Sequence, residues 1–144
     1  MRGRKWVERS AAIAAVLFAA LQFVPVSRTN PAVQSEVSAP AAVASILTRA
    51  CYDCHSNETR WPWYSRVAPI SWWLAEHVED GRQDLNFSEW PTFDFEAQEL
   101  AFDDMVEQLK KDKMPPRSYR LGHPEARLDE RERAVLLEWA ASGQ

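Results

Sequence analysis

The sequence predicts an all-α protein, on three observations. Apolar residues recur at helical spacing in several segments after residue 41, two segments begin with helix-capping residues, and no convincing strand-like alternation of apolar and polar residues occurs. We divide the 144 residues into an N-terminal segment (1–26), a linker (27–40) and one helical domain (41–144).

The N-terminal segment joins a basic start to an apolar run. Residues 1–9 hold four basic side chains and one acidic one, and residues 10–26 contain a single strongly polar side chain, that of Gln22. Because no small-x-small cleavage site closes this run, we predict an uncleaved membrane segment, with a cleaved export signal as the alternative. The positive charges place the domain on the periplasmic side of a bacterial inner membrane.

The linker is polar, contains Pro31 and Pro40, and shows neither helical nor strand periodicity, which predicts a flexible tether. Four helices are predicted after it. The second covers 70–83, the third covers 95–111 after the N-cap Asp94, and the last runs from a capping box at 129–132 to Gly143. The first carries an apolar stripe of five residues, namely Val43, Ile46, Leu47, Ala50 and Cys54.

The two cysteines of the chain lie in one motif, Cys51-Tyr52-Asp53-Cys54-His55. Two thiols three positions apart can add to the two vinyl groups on one edge of a haem, and the next residue, His55, then lies beneath the iron. The C-x-x-C-H spacing therefore predicts one covalently attached haem c, with Cys51 and Cys54 as attachment points and His55 as an iron ligand.

Three other interpretations of the motif stay open at this point. A structural zinc site would need a fourth ligand, and no second C-x-x-C or H-x-x-x-H supplies one. A redox-active thiol pair is typical of a βαβ setting, which the sequence does not predict. A disulfide across the short loop would make the domain a haem-free interaction module.

The second axial ligand of the iron is predicted to be Met114. This residue lies outside any helical stripe, in a segment stiffened by two prolines and placed before the last helix. Met105 falls on the apolar stripe of the third helix, where core packing explains it. His77, or no second ligand at all, remains an alternative, whereas His123 lies in a predicted turn.

From residue 41 onwards the chain resembles the bacterial haem-binding-domain family of exported monohaem cytochromes. The resemblance implies a fold similar to class I cytochromes c, with the first and last helices of the domain packed together and His55 and Met114 as axial ligands. It rests on Cys51-Tyr52-Asp53-Cys54-His55-Ser56-Asn57, Trp61-Pro62-Trp63-Tyr64, Pro69-Ile70-Ser71-Trp72, Leu85-Asn86-Phe87-Ser88-Glu89-Trp90, Met114-Pro115-Pro116, His123-Pro124 and a last helix that ends near Trp139.

Further contacts to the haem are expected from the segment after the motif. Trp61 can donate its ring N–H to the haem propionates, and Arg60 or Arg66 can pair with those carboxylates. We also expect the carbonyl of Pro69 to accept the ring N–H of His55 and so orient the ring.

The charge distribution bears on partners. The formal net charge is −4, but the first nine residues carry +3, so the rest of the chain carries −7. A body this acidic argues against nucleic-acid binding, which needs basic surface. Residues 70–112 hold twelve acidic and three basic side chains, which form either a docking face for a basic partner or a solvated surface.

The sequence therefore predicts a membrane-tethered, monomeric cytochrome that exchanges single electrons with an unidentified redox partner and is not an enzyme. The alternative is a haem-based sensor or peroxidase-like protein whose sixth iron position is open or easily vacated. Carbon monoxide binding to the reduced protein discriminates between the two.

Overall fold

The computed structural model describes residues 2–142, and all regular secondary structure in that range is helical. Beyond the helices, the same range contains three short 3₁₀ turns and one isolated parallel bridge between Ser35 and Glu89. The all-α prediction is therefore confirmed for the described chain. The α-helices are α1 (Arg2–Leu21), α2 (Ala41–Ala50), α3 (Tyr52–His55), α4 (Ile70–Asp84), α5 (Phe95–Lys110), α6 (Arg117–Gly122) and α7 (Glu130–Ala141).

The prediction of an N-terminal membrane segment is wrong. Across residues 2–142, no helix combines the length and the apolar character that a membrane crossing requires. Five of the first eight residues of α1 are charged, and the helix ends at Leu21, although the apolar run of the sequence continues to Val26. The apolar part of α1, residues 10–21, extends roughly 18 Å, against roughly 30 Å for a bilayer core.

The chain forms two compact units. One comprises residues 2–29 and 61–77, and the other comprises residues 30–60 and 78–142. In the first unit the side chain of Gln22 accepts a hydrogen bond from the backbone N–H of Ala68 (2.9 Å) and donates one to its carbonyl (3.3 Å). Arg28 donates to the carbonyl of Ser65 (3.1 Å), so the stretch after α1 is fixed to residues 65–68.

The core of the second unit lies where α2, α5 and α7 meet. The predicted stripe of α2 is buried at all four of its positions within that helix, from Val43 to Ala50. On α5 and α7, Phe102 packs edge-to-face against Trp139 at 5.1 Å between ring centroids. Residues of α2 also contact α7, so the first and last helices of the domain pack against each other, as the family resemblance implies.

The predicted helix starts on α5 and α7 are confirmed. The carboxylate of Asp94 accepts a hydrogen bond from the backbone N–H of Ala97 (2.9 Å), and Asp129 and Glu132 form a reciprocal capping box. These contacts satisfy N–H groups that have no partner inside a helix. Gly143, predicted to end the last helix, lies outside the described residues.

Part of the predicted tether is fixed rather than flexible. The backbone N–H groups of Gln34 and Ser35 donate to the carbonyl of Ser88 (3.0 and 3.2 Å), and that of Val37 donates to the carbonyl of Phe87 (3.1 Å). The side chain of Val37 is buried in the core of the second unit. Polar composition alone predicted a coil, but these contacts depend on a loop about fifty residues further along the chain.

Candidate functional site

The C-x-x-C-H motif occupies a single helical turn. Cys51 closes α2, and its carbonyl then accepts hydrogen bonds from the N–H groups of Cys54 (3.1 Å) and His55 (2.9 Å) at the start of the next turn. Residues three and four apart on such a turn lie on the same side of it. Cys51 and Cys54 are both free thiols, so the two sulfurs remain available for bonds to another group.

His55 is held at three points by the end of α4 and the segment that follows it. The ring Nδ1 lies 2.7 Å from the carbonyl oxygen of Gly81 and 3.1 Å from that of Leu85, and the His55 carbonyl accepts the N–H of Phe87 (2.8 Å). Two carbonyl acceptors require a proton on Nδ1, which leaves the Nε2 lone pair for a metal. The expected acceptor was wrong, since the carbonyl of Pro69 accepts the N–H of Trp72 instead (3.1 Å).

Burial keeps the imidazole neutral. The pKa of His55 is lowered from its ordinary value because burial disfavours the charged ring, although the carbonyls of Leu85 and Gly81 and the charge of Asp84 act in the opposite direction. A neutral ring with its proton on Nδ1 is the form that coordinates iron.

Gly81 lets α4 approach the motif. A Cβ at this position would lie 2.7 Å from the carbonyl oxygen of Cys54, closer than side-chain carbons come to backbone atoms. The absence of a side chain therefore brings the carbonyl of Gly81 within reach of the His55 ring. The role of Gly81 could not be predicted, since nothing in the local sequence pairs it with Cys54.

The thiols lack the character of a redox pair. Burial, together with the neighbouring Cys54, raises the pKa of Cys51 to about 12, and burial with the charge of Asp53 raises the pKa of Cys54 to about 11. Redox-active C-x-x-C thiols have lowered pKa values, because the thiolate is the reactive form. The raised pKa values therefore argue against the interpretation of the motif as a redox-active thiol pair.

A buried polar network supports the residues after the motif. Asn57 donates to the carboxylate of Glu89 (2.9 Å) and accepts from Asn86 (2.9 Å), whose own side-chain oxygen accepts the N–H of Ser88 (3.0 Å). The Ser88 hydroxyl in turn accepts the N–H of Asn57 (3.0 Å). The side chains of residues 86–89 thus fix the backbone that follows His55 through hydrogen bonds to Asn57.

Asp53, between the two cysteines, is an anchor that sequence reasoning missed. Its buried carboxylate accepts hydrogen bonds from the backbone N–H, Nε and Nη2 of Arg60 (3.0, 3.0 and 3.1 Å) and from the hydroxyl of Tyr119 (2.6 Å). Burial by itself raises the pKa of Asp53, but these hydrogen bonds outweigh it and the net pKa is lowered. Asp53 therefore engages Nε and Nη2 of the Arg60 guanidinium, and the expected pairing of Arg60 with a propionate stays a prediction.

The other residues predicted to contact the haem or the iron differ in their burial. Trp61 is half-buried and Arg66 is exposed, both within the first unit, and their role towards haem stays a prediction. Met114 is half-buried in the segment between α5 and α6, whereas Met105 is buried in the core of α5 as expected. His77 is exposed, with its Nδ1 2.9 Å from the carbonyl of Trp73.

The third histidine of the sequence, His123, follows α6 directly. Its ring stacks on that of Tyr119 at 4.2 Å, and its Nδ1 lies 3.1 Å from the carboxylate of Glu125. Within residues 2–142, the C-x-x-C-H turn included, no three or more His, Cys, Asp or Glu side chains are grouped so that they alone could hold a metal ion.

These residues fit haem in the chemistry of their donors. One turn presents two unpaired thiols and a neutral histidine whose free nitrogen is Nε2, and Gly81 provides the close backbone approach that orients that ring. An all-helical domain that presents C-x-x-C-H in this way has the site of a haem-binding protein. Residues 16–142 match the haem-binding domain family, and the chain belongs to that family. No curated protein and no solved structure matches the chain.

Proposed function

We propose that this protein is an exported monohaem c-type cytochrome that carries single electrons between partner proteins. The observation that carries the proposal is the arrangement of Cys51, Cys54 and His55 on one turn, with the His55 ring fixed by the carbonyl of Gly81 at 2.7 Å. The bound haem would supply the one-electron redox chemistry. Cys51 and Cys54 would hold it through two thioether bonds, and the contact with Gly81 would orient the ring of His55.

His55 is the proximal ligand in this proposal. A hydrogen bond from Nδ1 to a backbone carbonyl fixes the ring plane and raises the basicity of Nε2, as it does for histidine ligands in other metal sites. The carbonyl groups of Gly81 and Leu85 are main-chain atoms near the end of α4, so the orientation does not depend on a mobile side chain.

Met114 is the proposed second ligand. The side chain of Met105 packs in the core and is 9% exposed. His77 is exposed, and its ring contacts the backbone of its own helix. Met114 remains half-buried outside every helix, between the C-terminus of α5 and the start of α6. A thioether is a soft neutral donor that favours Fe(II), so this ligand suits an electron carrier of raised potential.

Export to the periplasm is proposed from α1. Its basic start followed by the twelve-residue apolar stretch 10–21 matches the n-region and h-region of a signal sequence. Protein lacking residues 2–26 should stay haem-free in cells that attach haem outside the cytoplasm, and a foreign export signal should restore the haem. If the truncated protein acquires covalent haem without any signal, the proposed location is wrong.

A spectroscopic titration tests the electron-carrier function. The protein, produced with the haem-attachment machinery, should be oxidised and reduced reversibly with one electron per chain. The reduced form should bind carbon monoxide poorly, because Met114 occupies the sixth position. Rapid carbon monoxide binding by the wild type, together with turnover of peroxide, would instead support the sensor or peroxidase-like alternative.

A further inference from the structure

The segment that carries Met114 is held at its start by Asp112. This residue has a φ of 53°, a left-handed conformation that aspartate tolerates better than most residues. Its carboxylate accepts two hydrogen bonds from Arg120 of α6 (3.1 and 3.2 Å) and one from Arg133 of α7 (2.7 Å). Asp112 therefore connects the end of α5 to both helices that follow.

The two arginines are themselves restrained. Arg133 donates a second hydrogen bond to the carbonyl of Leu109 in the last turn of α5 (2.6 Å), and its side chain is 23% exposed. The side chain of Arg120 is 18% exposed. Arg120 binds the carboxylate of Asp112 at two points, which fixes the geometry of this ion pair more closely than a single contact between charges would.

The neighbour of Arg120 contacts the haem-attachment turn. Tyr119 donates its hydroxyl proton to the carboxylate of Asp53 (2.6 Å), and Asp53 lies between Cys51 and Cys54. The Tyr119 ring also stacks on His123 at an interplanar angle of 14°. Consecutive residues of α6 thus bind the C-x-x-C-H turn on one side and the start of the Met114 segment on the other.

We propose that α6 is a positioning element for the distal ligand, in which Tyr119 and Arg120 fix the segment of Met114 relative to the turn that carries Cys54 and His55. This inference rests on the proposed ligation by Met114. Neither side chain is proposed as an iron ligand. Met114 could leave the iron only if the hydrogen bonds of Tyr119 to Asp53 and of Arg120 to Asp112 broke. These bonds would therefore lower the population of protein whose sixth iron position is open.

The test uses the haem-loaded protein and three variants, Tyr119→Phe, Asp112→Asn and the matched control Ser118→Ala, an exposed position on the same helix. The far-red sulfur–iron charge-transfer band of the oxidised protein and the rate of carbon monoxide binding to the reduced protein are measured, beside haem content. Tyr119→Phe and Asp112→Asn should each keep the haem and accelerate carbon monoxide binding by about tenfold or more. Ser118→Ala should match the wild type.

Arg120→Lys is a further test variant, because it keeps the positive charge but loses the planar guanidinium group that binds Asp112 at two points. An intermediate acceleration in this variant supports the positioning role. If Tyr119→Phe fails to acquire haem, the comparison of Arg120→Lys and Asp112→Asn with the control decides the question by the same criterion.

Two results would overturn the inference in distinguishable ways. Variants that unfold at lower denaturant concentration but bind carbon monoxide at the wild-type rate would show that α6 has only a structural role. A wild-type protein without the far-red band, in which Met114→Ala changes nothing, would remove the proposed ligand and the inference with it.

Discussion

The imidazole Nδ1 of His55 lies 2.7 Å from the carbonyl oxygen of Gly81, 26 residues further along the chain. This contact requires the backbone of α4 to lie close to that of Cys54. The approach is possible because Gly81 has no side chain to fill the space between them. The orientation of the proposed proximal ligand therefore depends on a glycine within a helix, where glycine is otherwise unfavourable by about 1 kcal/mol relative to alanine.

Replacing Gly81 by alanine should destabilise the protein. The new methyl group would lie 2.7 Å from the carbonyl oxygen of Cys54, and neither backbone can yield without moving His55. We expect a loss of about 1–3 kcal/mol in the free energy of unfolding, measured by urea titration, despite the better helix propensity of alanine. Gly122→Ala is the control, since no atom lies within 4 Å of the position that the new Cβ would take. Equal stability of the two variants would contradict the proposed close approach.

Asp53 should make stability depend on acid pH. Its folded-state pKa is lowered, so its carboxylate stabilises the fold above the unfolded-state pKa, and this contribution is lost as pH falls through the lower folded-state value. The urea midpoint of the wild type should therefore fall as the pH is lowered below about 4, the ordinary pKa of an aspartate side chain. That of Asp53→Asn should fall less over the same range, whereas the exposed Asp104→Asn should follow the wild type. Parallel curves for all three proteins would exclude this role of Asp53.

The two methionines should behave differently. Met114→Ala should abolish the far-red charge-transfer band, lower the reduction potential and allow carbon monoxide to bind the reduced protein. Met105→Ala should leave the band in place but cost roughly 2–5 kcal/mol of stability, because its side chain lies in the core. If the band survives Met114→Ala and disappears in Met105→Ala, the ligand assignment is wrong. If only His77→Ala allows carbon monoxide to bind the reduced protein, the iron has two histidine ligands.

Two helices predicted from local sequence signals, α4 and α5, agree with the structure to within about one residue at both ends. The bounds of α4 and α5 follow from apolar periodicity and the Asp94 cap, and the capping box of α7 follows from Asp129 and Glu132. Each of these signals lies within the element that it predicts, so no tertiary information is needed.

The features that were missed depend on residues far apart in sequence. The acceptor of the His55 ring could not be predicted because Gly81 and Leu85 reach it only when the end of α4 folds over the motif. The anchoring of Asp53 by Tyr119 joins positions separated by 66 residues. The membrane segment was predicted from the length of an apolar run, but the helix ends at Leu21, before that run does.

The mass of the intact, denatured protein tests the central claim most directly. Wild-type protein, exported in cells that attach haem, should have the mass of one polypeptide plus one haem, and the haem should resist acid–acetone extraction. The Cys51→Ala, Cys54→Ala double variant should have the mass of the polypeptide alone after the same treatment. Haem that is extracted from the wild type, or that remains equally bound to the double variant, would contradict covalent attachment through the C-x-x-C-H turn.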